Sequence, residues 1–123
     1  MSLALDENQA KYQIKAYQPG QIQVNDMILT ASLIISAHEL QQNWPPQHID
    51  ELTREHLLPI LQLKPAILLI GTGAALQFPE VEIYGELLNH GIGVEIMNTS
   101  AACRTYNILT AEGRNVAAAL IIS

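Results

Sequence analysis

Cysteine is almost absent from the chain. Among its 123 residues only Cys103 carries a thiol, so no disulfide can close within it and a cysteine-rich zinc site is excluded. Positive charge is scarce too. Six lysines and arginines stand against twelve aspartates and glutamates, for a formal net charge of −6, and the six are scattered between Lys11 and Arg114. Nonspecific nucleic-acid binding and docking on an anionic membrane both need clustered cations against phosphate, so neither nucleic acid nor such a surface is an expected partner. Long hydrophobic runs are missing as well. The longest, residues 66–70 and 116–122, fall far short of the roughly 20 apolar residues of a spanning helix, which argues against direct membrane insertion. The opening stretch is polar and acidic, unlike a secretory or transit peptide. A tail without fixed structure over about residues 1–10 and a cytoplasmic location are the expectations.

What is present describes a folded domain. Hydrophobic residues make up 49% and charged residues 15% of the chain, a balance that excludes disorder for the bulk of it. A chain of this length buries roughly two-thirds of its unfolded surface, enough for one cooperative core, and residues 1–123 read as a single domain. No repeat, low-complexity tract or linker interrupts it.

The first half has the pattern of antiparallel strands. Residues 12–17 alternate loosely, Gln18-Pro19-Gly20 signals a turn, and residues 21–24 alternate again. Asn25-Asp26 suits a two-residue hairpin turn. Residues 27–37 supply mostly apolar strand residues with a break near Ser32, and Trp44-Pro45-Pro46 ends regular structure. The second half alternates strand and helix. Thr53 suits the cap of a helix through Leu61, which Pro59 shortens or kinks. Residues 66–70, between Pro65 and Gly71, form the continuous apolar run of a strand buried on both faces. Pro79 suits the first turn of a second helix and Gly91 its stop. A strand over 93–97 follows. Thr99 then suits the cap of a third helix to about Glu112, with Gly113 as its stop, before a strand over 116–122. Short strand–helix–strand connections imply parallel pairing through right-handed crossovers. A mixed α/β protein follows, with a mixed sheet or two packed β layers and helices on one side.

The densest motifs lie in the second half. They are Leu68-Leu69-Ile70-Gly71-Thr72-Gly73, then Gly91 to Thr99, then Ser100-Ala101-Ala102-Cys103-Arg104-Thr105-Tyr106-Asn107-Ile108-Leu109, and finally Glu112-Gly113-Arg114-Asn115 with the apolar run behind it. Together they resemble a widespread family of single-domain proteins of unknown function that includes a mitochondrial respiratory complex I assembly factor and an adipogenesis-associated protein. The resemblance implies a three-layer fold, an N-terminal antiparallel β layer packed on a C-terminal parallel βαβαβ unit, and implies no established enzyme activity. Two positions depart from the family pattern. Asn98 stands where aspartate is expected, and Ser100 where glycine or proline is common.

Candidate chemistry gathers at two loops. Gly71, Thr72 and Gly73 follow the first parallel strand, where open sheets bind ligands. The third glycine of a dinucleotide fingerprint is replaced by Leu76, and no helix opens directly after Gly73. Asn98, Thr99 and Ser100 open the third helix, whose free N–H groups and dipole favour an anion. Neighbouring strands would join the loops into one anion cup. The alternative is ordinary capping by Thr99 and a tight glycine turn. Cys103 is the one weak catalytic candidate: the helix start and Arg104 would lower its pKa. No histidine is placed by motif as its base, and a buried thiol packed beside Tyr106 is the competing reading. Arg104 can fork onto a carboxylate or phosphate. With Asn107, Glu112 and Arg114 it can instead form a polar cluster that ties helix to sheet. The four histidines have no ligand spacing, so no metal and no cofactor is expected. Trp44 can anchor a partner or cover the core. The sequence therefore favours a non-catalytic binding or assembly module that engages a protein partner, in biogenesis of a respiratory or membrane complex. A small-anion binder or enzyme built on the cup with Arg104 and Cys103 is the alternative, and a homo-oligomer is a third.

Overall fold

The computed structural model describes residues 8–123. Residues 1–7, with most of the expected tail, lie outside the described residues. Asn8 and Ala10 do not float: the Asn8 amide donates to Thr110 Oγ1 at 2.8 Å, and Ala10 is buried.

The first half forms a three-stranded antiparallel sheet, β1 (Ile14–Gln18), β2 (Gln21–Val24) and β3 (Met27–Leu29), in the order β1-β2-β3. Its turns are the two expected ones, with Gly20 at φ +89° and Asn25 at φ 52°. A register shift between Ile14 and Ala16 bulges β1.

The run 27–37 does break at Ser32, and its halves join different sheets. Beyond the break, β4 (Leu33–Ser36) pairs antiparallel with the two-residue β5 (Leu40–Gln41) on one side and with β8 (Val116–Leu120) on the other. The break is held by Ser32 itself, whose Oγ accepts from Ile122 N at 2.9 Å while its carbonyl accepts from Trp44 N at 2.8 Å. A 3-10 turn (Arg54–Leu57) leads into α1 (Leu58–Leu63). Pro59 therefore starts the α-helix, where its missing N–H costs nothing, and does not kink it. The parallel unit comprises β6 (Ile67–Gly71), α2 (Val81–Asn89), β7 (Gly93–Met97), α3 (Thr99–Ala111) and β8. Pro79 lies just ahead of α2, whose cap is Glu80. Both β7 and β8 run parallel to β6, which gives a five-stranded mixed sheet in the order β5-β4-β8-β6-β7.

Helices on one side were expected; they occupy both. The strand order explains it. From β6 the chain moves outward to β7, then returns across β6 to β8. Right-handed crossovers in opposite directions place their helices on opposite faces. One core thus joins Ile22, Val24, Leu33, Ile35, Leu69, Leu120 and Tyr106 between the small sheet, α3 and one face of the large sheet. The other joins Ile34, Leu68, Ile70, Leu87 and Ile60 on the opposite face, with Trp44 closing its end. Three layers result. Each large apolar side chain so buried contributes about 1.5–3 kcal/mol, which makes the sheet the rigid element that positions the loops.

Candidate functional site

β6 and β7 end side by side and point the same way, with Gly71 opposite Met97. The two loops after them therefore meet at one rim, as the sequence pattern suggested, but they meet without a gap. Gly73 N donates to Thr99 Oγ1 at 2.8 Å, and Thr99 N donates to Gly73 O at 2.9 Å. The Thr99 hydroxyl in turn donates to Ile121 O at 2.8 Å. Ala74 N donates to Ser123 O at 2.7 Å, and the Thr72 hydroxyl donates to Ala75 O at 2.7 Å. The glycines make this closeness possible. A Cβ on Gly71 would lie 2.8 Å from Thr99 Oγ1, and one on Gly73, at φ +100°, 2.5 Å from Ser123 O. Of the groups proposed to cradle an anion, those of Thr72, Gly73 and Thr99 are spent on one another and on neighbouring carbonyls, and Gly71, Thr72, Gly73 and Thr99 are all buried.

The cap is also reassigned. Asn98, not Thr99, is the N-cap of α3: its Oδ1 accepts from Ala101 N at 2.9 Å. Asparagine and aspartate cap equally well, so the departure at this position preserves the local structure. Thr99 is drawn into the rim because its hydroxyl is freed from capping.

Cys103 is 5% exposed, and burial pushes its thiol up to about 12 from 9.0, against the weaker lowering effect of Arg104. The helix start and Arg104 were expected to lower it; desolvation wins because the thiol sits in the core beside Tyr106. At neutral pH it is a protonated, inert sulfur. Asn107 does the structural work expected of a polar cluster. It pairs with a single residue of β1, accepting from Ile14 N at 3.1 Å and donating to Ile14 O at 2.6 Å. Tyr106 adds a bond from its hydroxyl to Tyr12 O at 2.7 Å. Glu112 and Arg114 do not join this cluster. They lie exposed beyond the far end of α3, which runs only to Ala111, about 10 Å of helix past Arg104.

What remains open near α3 is a groove of about 160 Å³ between its first two turns and β1, lined by Lys15, Tyr17, Ser100, Cys103, Arg104 and Asn107 among others. Arg104 Nη1 donates to Ser100 Oγ, one turn earlier in α3, at 2.8 Å. The sequence pattern puts Ser100 and Arg104 with the anion cup and Asn107 with a structural polar cluster, and does not point to Lys15 and Tyr17. Nothing in residues 14–18 marks them, because the contact is made only when the small sheet folds over α3.

A larger cavity, of about 560 Å³, opens on the other face, between the segment His48–Leu52 and the loop leading into α2. Asp50 and Glu80 supply carboxylates to its wall and Ile49, Phe78 and Ile83 supply apolar surface. Phe78 is 71% exposed, and Leu76 and Val81, on either side of it in sequence, are 50% and 52% exposed. The sequence carries this signal only as apolar residues between a strand and a proline, which alone do not distinguish an exposed loop from a packed one. Trp44, for which anchoring a partner and covering the core were the alternatives, is 1% exposed and donates from Nε1 to His56 O at 2.9 Å; it covers the core. Among the described residues no group of three or more histidines, cysteines or carboxylates could hold a metal ion, and no helix is long and apolar enough to cross a membrane.

Known proteins agree with this arrangement. A 13 kDa major membrane protein of Francisella tularensis is 34% identical, with 98% of this chain aligned to 99% of that one. NADH dehydrogenase [ubiquinone] 1 alpha subcomplex assembly factor 3 of Danio rerio is 32% identical over 98% of this chain and 70% of its own length. The solution structure of a Xanthomonas campestris protein is 38% identical and superposes with a TM-score of 0.82, over 99% of this chain and 92% of the other. Residues 14–121 match the family described as protein of unknown function (DUF498/DUF598). That match takes in both sheets, the loops that meet at the rim and the whole of α3, and the chain belongs to this family of unknown function.

Proposed function

We propose that the protein is a cytoplasmic, non-catalytic assembly module that holds a protein partner during biogenesis of a membrane or respiratory complex. The observation that carries this reading is the exposed trio Leu76, Phe78 and Val81 beside the 560 Å³ cavity. A phenylalanine left 71% in water is the kind of aromatic anchor that partner pockets take up. It lies on the loop that leaves the carboxyl end of β6, the end at which open parallel sheets carry their binding sites. Asp50 and Glu80 in the cavity wall suit a partner segment that combines apolar residues with lysine or arginine. Two relatives support the setting: one is named as a complex I assembly factor and another as a membrane protein. The inert Cys103 and the sealed rim favour binding over catalysis.

Cross-linking of the tagged chain in cells, followed by mass spectrometry, tests the reading. The expected cross-links to a partner cluster at residues 48–52 and 76–83. Cross-links concentrated on the opposite face, around β1 to β3, would contradict it.

A further inference from the structure

The groove between α3 and β1 is built unlike the rest of this acidic molecule. The chain has twice as many acids as bases, yet the groove's lining includes two cations, Lys15 and Arg104, and no carboxylate. Arg104 is exposed, and among the described residues no carboxylate lies within ion-pair distance of it; the single ion pair among them is Arg54 with Glu86, at 3.6 Å. Among the described residues Lys15 is tethered only by a 3.4 Å contact to Gln13 Oε1. Tyr17 supplies an independent observation. Its hydroxyl is the one buried side-chain polar atom among the described residues that has no hydrogen-bond partner, and a buried hydroxyl left so costs about as much as a lost hydrogen bond. Burial raises its pKa, with Cys103 adding to the effect, so it stays a donor at neutral pH. Asn107 is occupied by β1 and Cys103 is inert, which leaves Lys15, Tyr17, Ser100 and Arg104 as the groups with capacity to spare.

We propose that this groove is a binding site for a small phosphate-type dianion, held by Arg104 and Lys15 with the hydroxyls of Ser100 and of Tyr17, the latter turned out of its closed position as the ligand enters. Two cations balance a dianion, and a guanidinium fork with an ammonium and two hydroxyls matches three terminal phosphate oxygens. A volume of about 160 Å³ is below that of sites for drug-sized ligands, so a phosphate or compact phosphate monoester fits and a nucleotide does not. The site is separate from the Phe78 face and from the sealed rim, and it stands whether or not the protein is an assembly module.

The test is an amide NMR titration of the full chain with inorganic phosphate and with phenyl phosphate, at ionic strength held constant with chloride. Saturable shifts confined to residues 14–17 and 100–107 are expected. Tyr17→Phe, which keeps the ring in place, should weaken binding about ten-fold, and Arg104→Ala at least as much, with the spectra still those of the folded protein. Tighter binding of phenyl phosphate would assign a phosphorylated small molecule, and equal or weaker binding inorganic phosphate itself; both support the site. The absence of saturation up to about 50 mM phosphate would overturn it. So would shifts centred on residues 71–73 and 98–99, or an affinity unchanged in both variants.

Discussion

Thr99 illustrates how a residue legible as functional turns out to be structural. Its hydroxyl accepts from Gly73 N and donates to Ile121 O, tying three segments at a fully buried point. Thr99→Val keeps the shape but strands both groups. A loss of about 2–5 kcal/mol is expected, read by chemical denaturation. The sequence showed which residues meet here but not that they meet without a gap, because closeness depends on the atoms at Gly71 and Gly73 and on Ser123 arriving from the far end of the chain. Cys103 carries a second expectation. The folded thiol holds its proton to about pH 12, whereas the unfolded one releases it near 9.0. The associated stability is therefore complete below pH 9 and is lost as pH rises toward 12, at up to about 1.4 kcal/mol per pH unit. Cys103→Ala should flatten the alkaline end of the stability profile relative to the parent. A decline between pH 9 and 12 that is identical in the two proteins would contradict the assignment.

Among the elements, α3 is the one on which most depends. It packs against β1, β6 and β8 and so joins the two sheets. Its start rests on the Asn98 cap. Asn98→Ala should cost about 1 kcal/mol. Asn98→Asp should be neutral or stabilising, since a carboxylate also suits the helix dipole; thermal melts of the two variants distinguish them. The strand and helix pattern of this half was legible because buried parallel strands read as short apolar runs bounded by Pro65, Gly71 and Gly113. The sidedness of the helices was not, since it follows from strand order, and no local residue encodes that β8 inserts between β4 and β6. The partition of residues 27–37 between sheets escaped for the same reason: Ser32 marked a break, but its bonds to Ile122 and Trp44 are long-range.

On the scale of the whole molecule, the three layers leave two faces with different character. One carries the cation-lined groove between α3 and β1, and the other carries the Phe78 loop above an acidic cavity wall. The family membership was legible in the motifs from Gly71 to Arg114, yet those motifs mostly build the rim and α3. The surface that the proposed function uses lies between them, in residues whose exposure only the folded chain reveals. The central claim is that partner binding runs through Phe78. It is tested most directly by measuring the affinity of the cross-linked partner, once purified, for the parent protein, for Phe78→Asp and for Ile108→Asp, a substitution at an equally apolar side chain that is 58% exposed on α3. A loss of at least about 2 kcal/mol in Phe78→Asp, with Ile108→Asp indistinguishable from the parent, is the predicted result. Equal affinity of Phe78→Asp and the parent would contradict the account.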